Sequence, residues 1–318
     1  MPILETKNLS YVYSDGTPFR VTAINNVNIS IEKGEFVGII GHTGSGKSTL
    51  VQHLNGLLTP SSGEVLLDGK NINESKITRR QARFKVGLCF QYPEYQLFES
   101  TVYKDISFGP KNMELSEDEI DNRVKKAADF VGLKPDMLNK SPFDLSGGEK
   151  RRVAIAGVMA MEPEILILDE PTNGLDPEGI IEIRQMLKKL NQEKGLTILI
   201  SSHILGELSK LATRYGIIND GVLIDEFTEQ ELTERCQSSL IVKVNDINKA
   251  CEILKSELNT DRFSVLNENT LEVFDFVDNP GKVNSILAKN DIIIDSISKK
   301  SVDLEDYFMK VIGGNKDA

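Results

Sequence analysis

Gly41-His42-Thr43-Gly44-Ser45-Gly46-Lys47-Ser48 is the stretch that decides how this chain folds. It fits the pattern G-x-x-x-x-G-K-[ST], which carries its chemistry only between a buried strand and a helix. Both flanks are present. Phe36-Val37-Gly38-Ile39-Ile40 is a continuous apolar run, as expected of a strand covered on both faces. Lys47 to about Leu57 reads as the helix. Glycines in such a turn let backbone N–H groups point inward around a β-phosphate, and the helix start adds a positive dipole end. Gly41, Gly44, Ser45 and Gly46 form the expected cradle, followed by Thr49 on the helix. Lys47 is placed to reach the β- and γ-phosphates, and the Ser48 hydroxyl to ligate Mg²⁺. The pattern implies a nucleotide site. It does not say what the nucleotide is used for, because kinases and GTPases share it.

A second buried strand supplies the acids. Ile165-Leu166-Ile167-Leu168 runs into Asp169-Glu170. Asp169 is expected beside the metal, holding Mg²⁺ directly or through water. Glu170 is expected to polarise an attacking water, since a strand end fixes a general base in position.

Further out, residues 3–40 alternate in the manner of strands, and residues 100–160 read as mainly helical. Ser116-Glu117-Asp118-Glu119 suggests a capping box opening one of these helices. A helix is expected from about Glu178 to Glu193, followed by the strand Leu196–Ile200. Beyond about residue 230 the pattern becomes βαββαβ-like and ends in a helix at Leu304–Ile312. This tail carries no cluster of His, Cys or paired acids and reads as a packing or regulatory module.

Composition narrows the function classes. A formal net charge of −11 argues against a broad grip on nucleic acid, which needs a basic face. No stretch approaches the roughly 20 apolar residues needed to span a bilayer, and Met1-Pro2-Ile3-Leu4-Glu5 lacks the order of a signal peptide. The cysteines Cys89, Cys236 and Cys251 show no CxxC spacing and read as isolated reduced thiols.

Leu145-Ser146-Gly147-Gly148-Glu149, followed by Lys150-Arg151-Arg152-Val153-Ala154-Ile155-Ala156, resembles the signature of the ABC ATPases. The order of phosphate loop, signature and acidic strand is also that family's order. The resemblance covers residues 3–230 and implies a transport-coupled ATPase using ATP and Mg²⁺. The implied fold is α/β, a P-loop NTPase. It has a RecA-like core, an antiparallel β subdomain and an inserted helical subdomain at about 100–160. The expected domains are 1–230 for the ATPase and 231–318 for a small C-terminal α+β module. By resemblance, Ser146, Gly147 and Gly148 bind the γ-phosphate held by the opposite subunit. Gln91 senses Mg²⁺ and the attacking water, and His203 contacts the γ-phosphate and holds Glu170. Asn173-Gly174-Leu175-Asp176 aligns the two sites of a dimer. Tyr13, with Tyr11 as runner-up, looks like the aromatic that stacks on adenine. Glu149 stands where glutamine is commoner, and a carboxylate there repels the shared phosphate unless it points away.

Gln91-Tyr92-Pro93-Glu94-Tyr95-Gln96-Leu97-Phe98 and the signature helix resemble the energy-coupling factor and cobalt-type transporter ATPases over residues 1–175. Those proteins work with a transmembrane T component and with S components that bind vitamins or metal ions. Residues 176–318, with Ile200-Ser201-Ser202-His203 at the switch, resemble the ATPases of bacitracin- or lantibiotic-type exporters, as a natural or constructed hybrid would. The expected function is the ATPase of an energy-coupling factor importer, with the exporter ATPase as the alternative. Expected partners are integral membrane subunits and a second ABC ATPase, identical or paralogous, at the cytoplasmic face of the cell membrane. Ribosome-type members usually carry two cassettes and DNA-repair members a long coiled-coil insertion; this chain has neither.

Overall fold

The computed structural model describes residues 1–300, 307–308 and 311–312. They fall into two compact units, Met1–Glu229 and Gln230–Ala318.

The first unit opens with an antiparallel sheet. Strands β1 (Leu4–Tyr13) and β2 (Val21–Ile31) pair, and β1 also pairs with β4 (Ser62–Leu67), beside which lies the short β5 (Lys70–Asn71). Between them in sequence come β3 (Phe36–Ile40) and helix α1 (Lys47–Leu54). All five residues of β3 are buried, because it is an interior strand of the second sheet. Helix α2 (Lys76–Lys85) leads into β6 (Val86–Cys89).

Three helices follow, α3 (Val102–Asn112), α4 (Glu117–Phe130) and α5 (Gly147–Met159). The capping box expected at Ser116 is only half made. Ser116 Oγ accepts from Glu119 N at 3.3 Å, but the Glu119 carboxylate accepts from Arg123 at 2.7 Å, one turn on, instead of folding back. The same S-x-x-E spacing closes fully at Ser146 and Glu149, which opens α5.

The chain then returns through β7 (Ile165–Asp169), α6 (Pro177–Lys194), β8 (Thr197–Ser202), α7 (Leu205–Leu208), β9 (Arg214–Asn219) and β10 (Val222–Thr228). The second sheet has the order β10-β9-β3-β8-β7-β6. Every pair in it is parallel except β9 with β10. One apolar core joins the two sheets through α1, with Leu4, Ile24, Ile39, Leu50, Ile167 and Leu199 all fully covered. In this core β3, β7 and β8 end side by side, so the loops that leave them converge. That is where ligands bind in open α/β sheets.

The second unit contains α8 (Glu229–Arg235), which starts at the boundary, then β11 (Ser239–Val244), α9 (Ile247–Ser256), β12 (Phe263–Asn267), β13 (Thr270–Val273), α10 (Pro280–Lys289) and β14 (Ile294–Lys300). Its antiparallel sheet has the order β12-β13-β11-β14. Leu240, Val242 and Val244 alternate along β11 into a core completed by Leu254 and Leu287 of the two helices. The helix expected at Leu304–Ile312 lies mostly outside the described residues.

Candidate active site

The phosphate loop occupies residues 41–46, between β3 and α1. Gly41 is required by crowding. A Cβ there would lie 2.4 Å from Ser45 Oγ and 2.5 Å from the Ile218 carbonyl. Gly46 takes φ +105, and a Cβ would meet the Ala23 carbonyl at 2.6 Å. Gly46 also stands at the cap position of α1, where no side chain caps the helix. The first-turn N–H groups are therefore left to a ligand. Ser45 Oγ is buried within the loop and has no hydrogen-bond partner. An uncapped helix start, an unpartnered hydroxyl and a lysine together fit a bound phosphate chain. Ser48 is exposed on the first turn, and the Thr49 hydroxyl lies 3.3 Å from the Tyr13 hydroxyl.

Tyr13 is 40% exposed at the end of β1. Tyr11 is packed against the core and meets the His53 ring edge-on at 4.7 Å. Of the two tyrosines, Tyr13 is the more exposed, and the two rings meet at right angles with centroids 4.8 Å apart.

Glu170 is the centre of the arrangement. Lys47 Nζ lies 3.2 Å from its Oε1 and also donates to the carbonyls of Gly41 at 2.8 Å and His42 at 3.1 Å. Gln91 Nε2 donates to Oε2 at 3.0 Å, and His203 Nδ1 lies 3.1 Å from the same oxygen. Asn173 Nδ2 reaches that oxygen at 3.5 Å. The backbone of Glu170 is left-handed, with φ +47. For a residue with a Cβ this costs about 1–2 kcal/mol. Its N–H is held by the Ser201 carbonyl at 3.0 Å and by Ser201 Oγ at 3.2 Å. The two adjacent acids go to different neighbours. Asp169 goes to Ser201, whose hydroxyl donates to its Oδ1 at 2.5 Å, while Glu170 goes to Lys47, Gln91 and His203.

A resident Mg²⁺ is a hard cation that keeps several waters and takes few protein oxygens. Ser48, Asp169 and the Gln91 amide oxygen supply such a set, since Gln91 meets Glu170 through its nitrogen. No cluster of three or more His, Cys, Asp or Glu suited to a metal occurs among the described residues, so the protein offers no closed cage. This open oxygen set fits Mg²⁺.

The remaining expected residues stand elsewhere. Among the described residues, no hydrogen bond or ion pair joins Ser146, Gly147, Gly148 or Asp176 to the phosphate loop or to Glu170. Ser146 caps α5, and a Cβ on either Gly147 or Gly148 would meet nothing within 4 Å, so this helix start presents an open backbone. Asp176 caps α6 by accepting from Gly179 N at 3.0 Å. Glu149 folds back onto this helix start. Its carboxylate accepts from Ser146 N at 2.8 Å, and this bond to the backbone holds its pKa below the usual carboxylate value. The carboxylate therefore stays charged at the helix start, and the repulsion expected of it there stands.

Two residues that the sequence reading left without a role take part. Ser201 braces both acids. Arg151, about one turn into α5, is buried and donates to the carbonyls of Pro171 and Asn173, just beyond Glu170. Ser201 could have been found as the residue opposite Asp169 on the neighbouring strand. Nothing in the pattern of the sequence marks Arg151.

Beside this site, Phe90, Phe98 and Phe108 line an open cavity of about 430 Å³ together with Leu57, Arg83 and Met161. All three phenylalanines are exposed.

A family model for the ABC transporter matches residues 24–173. The energy-coupling factor transporter ATP-binding protein EcfA2 of Clostridium perfringens is 53% identical over 239 residues, covering 73% of this chain and 84% of that protein. That match is longer than the first 175 residues, so it takes in part of the stretch that resembles exporter ATPases. Among solved structures, cbiO1 of Clostridium perfringens, described as part of the ABC transporter complex cbiONQ, is 39% identical with a TM-score of 0.66. It covers 81% of this chain and 96% of that one. The cassette MJ0796, solved as a dimer in a post-hydrolysis state bound to ADP and Pi, is 32% identical with a TM-score of 0.64, covering 71% and 98%.

Proposed function

We propose a working cycle for this site from the premise that the chain belongs to the ABC transporter family, as an ATP-hydrolysing subunit of the energy-coupling factor type. The chain binds ATP, and its relatives support this branch over the exporter alternative. One observation carries the assignment of roles: Lys47, Gln91 and His203 all converge on the Glu170 carboxylate.

In this cycle the 41–48 loop cradles the phosphates and Tyr13 stacks on adenine. Lys47 and His203 offset charge on the γ-phosphate. Glu170 takes the proton of the attacking water, with Gln91 and His203 fixing its direction. Mg²⁺, held by Ser48, Asp169 and Gln91, would neutralise charge on the β- and γ-phosphates. A second ATPase, identical or paralogous, supplies Ser146, Gly147 and Gly148 from its own helix start to the γ-phosphate held here. Asp176 lies in the loop that aligns the two sites. Glued by two ATP molecules, the pair closes, and hydrolysis reopens it.

The closing motion drives integral membrane subunits, a T component with S components that bind vitamins or metal ions. No helix among the described residues is long and apolar enough to cross a membrane; the place proposed for the subunit is the cytoplasmic face of the cell membrane. The phenylalanine-lined cavity beside Gln91 supports contact with that membrane partner.

Gentle affinity purification of the tagged protein from native membranes tests the assembly. Recovery of a T component, S components and a second ATPase supports it; recovery of a multi-spanning exporter permease with two copies of this chain refutes it. For the chemistry, wild-type complex that binds ATP but shows no hydrolysis would rule the cycle out.

A further inference from the structure

Arg151 is 2% exposed, and its guanidinium bonds to two separate segments of the chain. Nη1 donates to the Pro171 carbonyl at 2.7 Å and the Asn173 carbonyl at 2.9 Å. Nη2 meets the Glu94 carboxylate at 3.3 Å. Nε is buried and has no partner. Glu94 is half-buried on a 3₁₀ turn, Pro93–Gln96, that begins two residues after Gln91. Pro171 is the residue after Glu170 and Asn173 lies two further on, and Arg151 itself rides on the helix that Ser146 opens.

As a stabilising device this makes little sense. A buried cation that keeps one N–H unsatisfied and faces a single carboxylate gains little over an apolar side chain of the same volume. As a geometric device it is well made. The guanidinium is a rigid planar fork, so three acceptors held by one such group are held in fixed positions relative to one another. A second link runs parallel to it, with the Tyr92 hydroxyl 3.5 Å from Asn173 Nδ2.

We infer that Arg151 is a positioning residue. With Glu94 it clamps the segment carrying Gln91, and the segment carrying Glu170, to the helix whose start is the signature. The 3.0 Å contact between Gln91 and Glu170 is therefore set from behind, outside the reaction centre. A shift of the Gln91 segment is passed through one guanidinium to the residues after Glu170 and to α5. The inference rests on the reading of Gln91 and Glu170 as hydrolytic groups.

The test uses the purified transporter complex with ATP, comparing Glu94→Gln, Arg151→Lys and the double variant with wild type. Each single change is expected to lower kcat for ATP hydrolysis by about five-fold or more, since sub-ångström misplacement of a catalytic group is costly. KM for ATP should stay within about two-fold, because neither residue touches the phosphate loop. The double variant should be no slower than the slower single, as for two partners in one link. The inference is overturned if the folded single variants keep kcat within two-fold of wild type, if only KM changes, or if the losses simply add. Should Arg151→Lys not fold, Glu94→Gln alone decides by the same kcat and KM criterion, since it changes charge at a half-buried place and keeps shape. Wild-type complex that hydrolyses no ATP would instead bring down the functional reading beneath the inference.

Discussion

Gln91 and His203 meet on one oxygen of Glu170, at 3.0 and 3.1 Å, although they come from segments more than 100 residues apart. The other oxygen faces Lys47 at 3.2 Å. A carboxylate oriented at both oxygens has little freedom to turn, as a general base fixed before reaction requires. Replacing Glu170 by Gln keeps the size and the contact with Lys47 but removes the basic oxygen. ATP hydrolysis should fall by about 10² or more, while ATP binding is retained. Single-turnover hydrolysis measured beside equilibrium nucleotide binding checks both halves; binding lost together with hydrolysis would assign Glu170 to structure alone.

Ser201 donates to Asp169 and accepts from Glu170 N, so one hydroxyl braces both acids. Its removal in Ser201→Ala takes away a hydrogen bond to a charged group, with a cost of about 1.5–3 kcal/mol. The Mg²⁺ concentration needed for half-maximal hydrolysis should rise, and kcat should fall. A Mg²⁺ titration of ATPase activity at saturating ATP reads this, and an unchanged midpoint would free Ser201 of the role.

Glu149 closes a capping box with Ser146, and glutamine can close the same box. Glu149→Gln should therefore leave stability near wild type, whereas Glu149→Ala should cost about 0.5 kcal/mol or more. The pH dependence separates the two residues further. The Ser146 N–H holds the Glu149 pKa below its ordinary value. Its contribution is thus complete above the ordinary carboxylate pKa of about 4.3 and fades as pH falls below it. Urea unfolding of wild type and Glu149→Gln at about pH 7 and about pH 3.5 should show the difference between them shift in favour of the variant at the lower pH.

Tyr13→Ala should raise KM for ATP by about three- to ten-fold with kcat little changed, the worth of one aromatic stack. Tyr13→Phe should keep KM near wild type, because the ring does the stacking. Its lost hydroxyl contact with Thr49 is long, at 3.3 Å. Steady-state kinetics on the two variants checks this; equal effects would point to the hydroxyl.

What could be read ahead of the structure was what depends on local order. The run from Phe36 to Ser48 specifies strand, turn and helix within itself, and the acids at the end of β7 follow from a buried strand running out of apolar residues. Residues set by partners distant in the chain were harder. The neighbour of Asp169 is Ser201 only because β7 and β8 pair in parallel with that register. Arg151 is the middle of the basic run Lys150-Arg151-Arg152, where nothing in the spacing tells the buried cation from its half-exposed neighbours. The capping box expected at Ser116 failed for a local reason, since Arg123 competes for the same carboxylate one turn along. Sequence spacing shows that a bond is possible, and only competition among neighbours shows which bond forms.

The left-handed backbone of Glu170 has a consequence for how this position can vary. Aspartate tolerates that conformation better than glutamate and would carry the same charge. Glutamate offers one more methylene, enough to lie within reach of Lys47, Gln91 and His203 at once. At this single residue, side-chain length and backbone comfort pull in opposite directions, and length has prevailed.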